Sequence, residues 1–364
     1  MSKKIYYLLF LLLFMVSCEK IYTPAIDEVS GQLVVDARIT NDINRNDVHL
    51  SRTRAFYDRL AVIEVTGAVV TLNEVGGKSV RANEITTGHY NFSSVPTPGK
   101  QYFIRITIGG NTYESKASTM PPEPTYSNFS TSYVKYTLNQ NSGESTPRTY
   151  ERDGREIDID LPINEANSYY RFSIRSLIEY TYTATTGSLF PDSYGWFSYQ
   201  NNEKFPLVGP KDQTEPGKVV KHPLLLLDYS PLLYFHSDLR PLISHGWILI
   251  FEQYGITKES FEFHEQLNNQ FAATGSLFDP IQTQIYGNVI CKSNPLEIVY
   301  GFCDLYSVKQ FRYFLKLPTP PIELTLREIL NYPVIPFDGE IRATPPTAEN
   351  PTPDPLKPPV WWEE

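Results

Sequence analysis

Hydrophobic and polar positions fall into three regimes along the chain. Residues 5–16 form an unbroken apolar run after Lys3 and Lys4, closed by Ser17-Cys18. From Gln32 onward, apolar residues recur at every second position, the period of a half-buried strand. Leu33-Val34-Val35 is a short buried run, and Val48-His49-Leu50-Ser51 alternates. Val69-Val70-Thr71-Leu72 is β-branched and follows Gly67, and Tyr90 and Phe92 share a face after Gly88. Tyr102, Ile104, Ile106 and Ile108 alternate with Arg105 and Thr107, and Gly109-Gly110-Asn111 turns the chain into Thr112-Tyr113-Glu114-Ser115-Lys116. About six short strands with regular turn signals predict an immunoglobulin-like β-sandwich over residues 32–119. The proline cluster in 120–125 ends it as a stiff link.

The third regime, 126–316, is longer in its periods. Residues 126–138 open it, and the polar stretch 139–154 reads as a loop. Ile157, Ile159 and Leu161 alternate with Asp158 and Asp160, and Tyr170, Phe172 and Ile174 alternate with Arg171, Ser173 and Arg175. Residues 242–251 are another strand candidate. Residues 285–292 and 297–306 read as a hairpin turned at Ser293-Asn294-Pro295-Leu296. One helix stands out over 258–273, with Thr257 as its cap, Glu259 at its positive end, Gly275 as its stop and a buried stripe of Phe263, Leu267 and Phe271. The tail 317–364 holds 12 of the 29 prolines and reads as extended chain on the body. The fold class is mainly β: a sandwich followed by a second β-rich domain with one prominent helix.

The apolar run at the start is too short for a membrane span and has the form of a secretory signal peptide, residues 1–17. A cysteine directly after it points to lipoprotein processing, with lipid on Cys18 and 18–31 as a polar leash. Loss of Lys3 and Lys4 takes the formal charge from −9 to −11. That balance argues against nucleic acid as a partner. With 25 Tyr and 20 Phe against 3 Met, the composition is that of a β-rich exported chain. Two further cysteines, Cys291 and Cys303, lie out of register in the expected hairpin. An exported pair can form a disulfide, but the register read for this hairpin places the two beyond disulfide reach.

Catalytic and metal patterns break at single positions. His264-Glu265 starts a metalloprotease pattern, but Asn268 stands where the second histidine belongs, which leaves His264 on the helix surface. Asp42, Asn44 and Asn46 begin a calcium-loop spacing that Asp47 and Thr53 do not complete. Asp158 and Asp160 point the same way from one strand, as a polar face does. No cofactor and no metal ligands follow from these patterns. The candidate recognition residues are Phe190, Tyr194, Trp196, Phe197 and Tyr199, set among Asp, Ser, Gly and Asn in a loop-like stretch, 187–204. Aromatic faces in a polar loop stack on sugars or anchor a protein partner; the other reading is that they cover the second core.

The ordered set of motifs resembles the Bacteroidota lipoproteins grouped as domain of unknown function 4249. It comprises Ser17-Cys18-Glu19-Lys20, Leu33-Val34-Val35, Gly67-Ala68-Val69-Val70, Gly88-His89-Tyr90, Pro98-Gly99-Lys100-Gln101-Tyr102, Thr119-Met120-Pro121-Pro122, Leu277-Phe278-Asp279-Pro280, Gly287-Asn288-Val289, Tyr300-Gly301-Phe302 and Pro358-Pro359-Val360-Trp361. The resemblance implies an outer-membrane lipoprotein, often encoded beside a TonB-dependent transporter, on either the periplasmic or the cell-surface face. It brings no catalytic residue. The first domain also looks like transthyretin-like modules of such systems. The expectation is a non-enzymatic accessory or binding component of an envelope transport complex, held to the membrane through Cys18. The alternatives are a surface hydrolase of glycan or peptide, and a purely structural envelope protein.

Overall fold

The computed structural model describes residues 31–54, 62–125, 128–140, 148–164, 167–182, 193–200, 205–228, 243–272 and 285–315. Ten strands come first: β1 (Leu33–Thr40), β2 (Asp47–Arg52), β3 (Ile63–Glu64), β4 (Val69–Glu74), β5 (Ser79–Arg81), β6 (Asn83–Thr86), β7 (His89–Asn91), β8 (Gln101–Ile108), β9 (Asn111–Ser115) and β10 (Ser118–Thr119). There follow β11 (Asn128–Gln140), β12 (Arg148–Pro162), β13 (Tyr169–Tyr182), β14 (Ser193–Gln200), β15 (Leu207–Val208), β16 (Lys218–Asp228), β17 (Ile243–Ile256), helix α1 (Lys258–Ala272), β18 (Val289–Cys291) and β19 (Tyr300–Leu315). The chain is mainly β, as its alternating patterns require.

Three sheets account for these strands. The largest runs β14-β13-β17-β19-β1-β2-β7-β6, with β15 on β13 and β3 on β2. A second runs β18-β9-β8-β4-β5, with β10 on β8, and a third is β11-β12-β16. The sandwich core lies between the first two sheets. Leu33, Val35, Ala37 and Ile39 from β1 meet Val70 and Leu72 from β4, Ile104 and Ile106 from β8, and Tyr90 from β7. Alternation does this directly: the inward set of each strand is apolar, and the outward set carries Asp36, Arg38, Arg105 and Thr107.

That core is completed from the far end of the chain. Val289, Cys291, Val299, Cys303 and Leu305 belong to it. Strand β18 pairs with β9, while β19 runs parallel to β1, with Val35 opposite Gly301 and Thr40 opposite Tyr306. The expected 285–306 hairpin therefore does not form; its two halves sit in different sheets. Asn288 ties them together, donating from Nδ2 to the Cys303 carbonyl at 2.9 Å and accepting the Cys303 N–H at 2.8 Å. At Gly301, φ is +86°, and a Cβ would stand 2.0 Å from the Val35 carbonyl oxygen. Only glycine admits the approach of β1 at that point.

Strand β19 then continues beyond β1. Its residues 306–315 pair antiparallel with β17, so one sheet passes without a break from the sandwich into the second part of the chain. Asn41 holds the crossing point, with Val308 N–H donating to Asn41 Oδ1 at 2.7 Å and Asn41 Nδ2 to the Val308 carbonyl at 3.2 Å. The proline link packs against this body: Met120, Pro121 and Pro124 are buried, and the Pro122 carbonyl accepts from Asn167 Nδ2 and Ser307 Oγ.

The second part is layered. On one face of β13-β17-β19, Phe129 of β11 packs at 4.6 Å from Phe251 and 4.7 Å from Phe311, which brings the three-stranded sheet onto that face. On the other face lies α1, with Phe261 against Tyr169 and among Tyr254, Ile256 and Tyr306. Residues 148–154, expected as loop, begin β12 and pair with β11.

Candidate functional site

Helix α1 and the sheet beneath it bring together a buried group of titratable side chains from three elements. Thr257 caps the helix as its sequence predicts, its Oγ1 accepting the Ser260 N–H at 3.1 Å. The buried face differs from the predicted stripe. Ser260, Phe261 and His264 are buried, Phe263 is half-buried, and Phe271 is 61% exposed. The helix is rotated because its inward side meets polar groups as well as apolar ones. His264, expected on the helix surface, is only 6% exposed.

Asp304 of β19 lies 3.9 Å from His264 Nε2 and 3.8 Å from Arg171 Nη2 of β13. The Arg171 guanidinium sits 4.3 Å above the Tyr254 ring, with the Tyr306 and Phe205 rings at 5.6 and 5.5 Å. An enclosed cation over aromatic faces is stabilised by their quadrupoles, which partly offsets the loss of its water. Phe263 stacks on Phe302 at 4.3 Å and closes one side. Burial pushes the His264 imidazole below its ordinary value; the Arg171 charge adds to this and Asp304 opposes it. Burial also raises the phenols of Tyr254 and Tyr306.

Ser260, His264 and Asp304 have the residue types of a hydrolytic triad but not its geometry. His264 Nδ1 donates to the Ser260 carbonyl at 2.8 Å, while Ser260 Oγ is 3.4 Å away and fully buried. A triad needs the base nitrogen free for an accessible hydroxyl and the other nitrogen bonded to the carboxylate. Here the Ser260 carbonyl occupies the nitrogen nearest the serine hydroxyl, and that hydroxyl is buried. The cluster docks the helix on the sheet. Sequence periodicity missed it because its members come from β13, α1 and β19, although a lone acid in Phe302-Cys303-Asp304-Leu305-Tyr306 is a signal in retrospect.

The expected lipid-attachment residue and the candidate recognition residues divide. Cys18 and Phe190 lie outside the described residues. Tyr194, Trp196, Phe197 and Tyr199 belong to β14 rather than to a loop, and they pair in register with Thr181, Glu179, Ile178 and Ser176 of β13. Strand β14 ends the large sheet, with no further neighbour among the described residues. Its sequence is dense in the aromatic residues that favour strands, and this outweighs its glycine and serines.

The remaining sequence candidates resolve into structure. Asp42 caps a short 3-10 turn by accepting the Asn44 N–H, and Asn46 is buried, accepting the Thr40 N–H. Asp160 accepts the Lys221 N–H at 2.7 Å. Cys291 and Cys303 are free thiols, both buried, and burial pushes the Cys303 thiol up to about 12. The sequence assigned no metal ligands, but the structure brings His49, Glu64 and His89 together from three strands of the sandwich. No described helix is long and apolar enough to cross a membrane.

A family model described as Domain of unknown function (DUF4249) matches residues 19–312. Comparisons with curated proteins and with solved structures return no match.

Proposed function

We propose that this chain, which belongs to the DUF4249 family, is a lipid-anchored envelope protein that works by binding rather than catalysis, as an accessory of an outer-membrane transport complex. The observation that carries the reading is β14: an aromatic-rich strand that is the terminal strand of the large sheet among the described residues, next to β13, β17 and β19, which carry the helix on one face and the third sheet on the other. An edge strand offers a row of backbone donors and acceptors to a partner strand, and aromatic residues are the commonest anchors of protein interfaces. The run at residues 5–16 ending in Ser17-Cys18 supports attachment at Cys18, and the polar residues after it supply a leash to β1.

Two measurements test this. Cys18→Ala should move the protein to the soluble fraction or leave the precursor uncleaved, and mass spectrometry should find lipid on Cys18. Trp196→Ala should weaken co-purification with an outer-membrane transporter by on the order of 2 kcal/mol while leaving the melting temperature nearly unchanged. A loss of about 3–5 kcal/mol in folding stability would instead make Trp196 part of the core and remove the docking element.

A further inference from the structure

We infer that the outer face of the sandwich carries a divalent metal site of the zinc class, built from His49, Glu64 and His89. The three donor atoms lie within 4.8 Å of one another. His49 and His89 face each other across the β2–β7 pair. Glu64 sits on β3, opposite Ser51, one same-face position along β2 from His49. Strands β3 and β7 share a single edge of β2, and this puts all three side chains on the face turned away from the sandwich core.

The backbone beneath them is fixed. The Leu50 N–H donates to the Gly88 carbonyl and the Val65 N–H to the Leu50 carbonyl, each at 2.9 Å, so β2 holds both neighbours at one residue. Gly88 has φ +73°, and a Cβ there would stand 2.5 Å from Glu64 Oε2 and 2.9 Å from the Leu50 oxygen. The absence of a side chain at 88 is what leaves the Glu64 carboxylate its place beside the two rings. His49 Nε2 is 2.6 Å from Glu64 Oε2, and the two imidazole rings stack at 4.2 Å with a 4° tilt. Asp36, opposite His49 on β1 and exposed, adds negative charge to the same face.

Two imidazoles and one carboxylate are the donor set of zinc and of its neighbours in the first transition row, not of calcium or magnesium, which take oxygen alone. Donors around a tetrahedral ion at about 2.1 Å stand roughly 3.4 Å apart. The site reaches that spacing by parting the His49–Glu64 contact and turning the rings out of their stack, with no movement of the strands. The fourth position stays open to water or to a donor from a partner. Once loaded, the ion fastens the two-residue β3 to β2 and β7.

The test uses the tag-free full chain in detergent, stripped with chelator, with Zn²⁺ alone as probe in calorimetry and Co²⁺ or Cu²⁺ as spectroscopic substitutes. The expected result is one equivalent of Zn²⁺ bound, and a Cu²⁺ spectrum showing two imidazole nitrogens. His89→Ala and Glu64→Gln should each weaken Zn²⁺ binding at least about tenfold. His222→Ala, a histidine on the third sheet, should not change it. Unfolding curves in chelator establish that each variant is folded, and His89→Gln replaces any that is not. Equal affinity in wild type and His89→Ala, or no binding by wild type at about 100 µM Zn²⁺, overturns the site.

Discussion

Replacing Gly301 by alanine separates two costs that usually come together. At φ +86° an L-residue pays about 1–2 kcal/mol for the left-handed region alone. The new Cβ would also stand 2.0 Å from the Val35 carbonyl oxygen and 2.7 Å from its carbon. Both are backbone atoms, so neither can swing aside, and β1 and β19 must part by on the order of 1 Å. That displacement weakens the flanking hydrogen bonds of the parallel pair at about 1 kcal/mol each and leaves buried groups without partners. The sum for Gly301→Ala is about 3–5 kcal/mol. Gly67 is the control: its φ is +73°, and a Cβ there meets nothing within 4 Å. Gly67→Ala should cost only the conformational part, about 1–2 kcal/mol. Urea unfolding of the full chain, with stability extrapolated linearly to water, measures both. If the two variants agree within about 0.5 kcal/mol, the close approach of β1 and β19 contributes nothing, and the reasoning fails.

Three further outcomes follow from the same structure. A fragment of residues 31–119 should not unfold cooperatively, because Val289, Cys291, Val299, Cys303 and Leu305 are missing from its core; their burial is worth on the order of 5–10 kcal/mol, comparable to a whole domain's stability, and a sharp two-state transition of the fragment would refute this. His264 has a folded pKa below its unfolded value, so the unfolded chain binds the extra proton and stability falls as the pH drops through the ordinary histidine value of 6.5; His264→Gln should flatten the change in urea midpoint between pH 7.5 and pH 5, and an unchanged slope would show that the group is not buried neutral. Neither Cys291 nor Cys303 should react with a thiol reagent until the chain unfolds, and peptide mapping that finds either labelled in the native state would contradict its burial.

Local pattern carried the strands and the helix, but not their neighbours. The alternation of Tyr102, Ile104 and Ile106 placed β8 with the correct inward face, since only one face of that strand is buried. The Thr257 cap and the 258–272 helix were equally legible, because capping is a local hydrogen bond. The hairpin at 285–306 was misread because turn residues between two apolar runs do not say which strands those runs join. Here β18 finds β9 and β19 finds β1. The rotated face of α1 was hidden for the same reason: what His264 meets is set by Arg171 and Asp304, remote in sequence. His49 and His89 occupy ordinary polar positions of their strands, and their juxtaposition with Glu64 exists only once the register of β2 with both β3 and β7 is known. Gly301 is the opposite case, a motif noticed by resemblance whose physical reason appears only in the pairing with Val35.

Strand β19 is the last described element in sequence, and it lies between β1 and β17 in the large sheet. Asn41 and Val308, which hold that crossing point, are 267 residues apart. A chain that emerges amino end first therefore leaves one hydrogen-bonding edge of β1 without its partner until residues 300–306 have appeared. Contacts of this range are slow to close, and an open strand edge in the interval invites pairing with other chains. The interval between the appearance of β1 and that of β19 is therefore when an open strand edge gives a holding chaperone the most to protect.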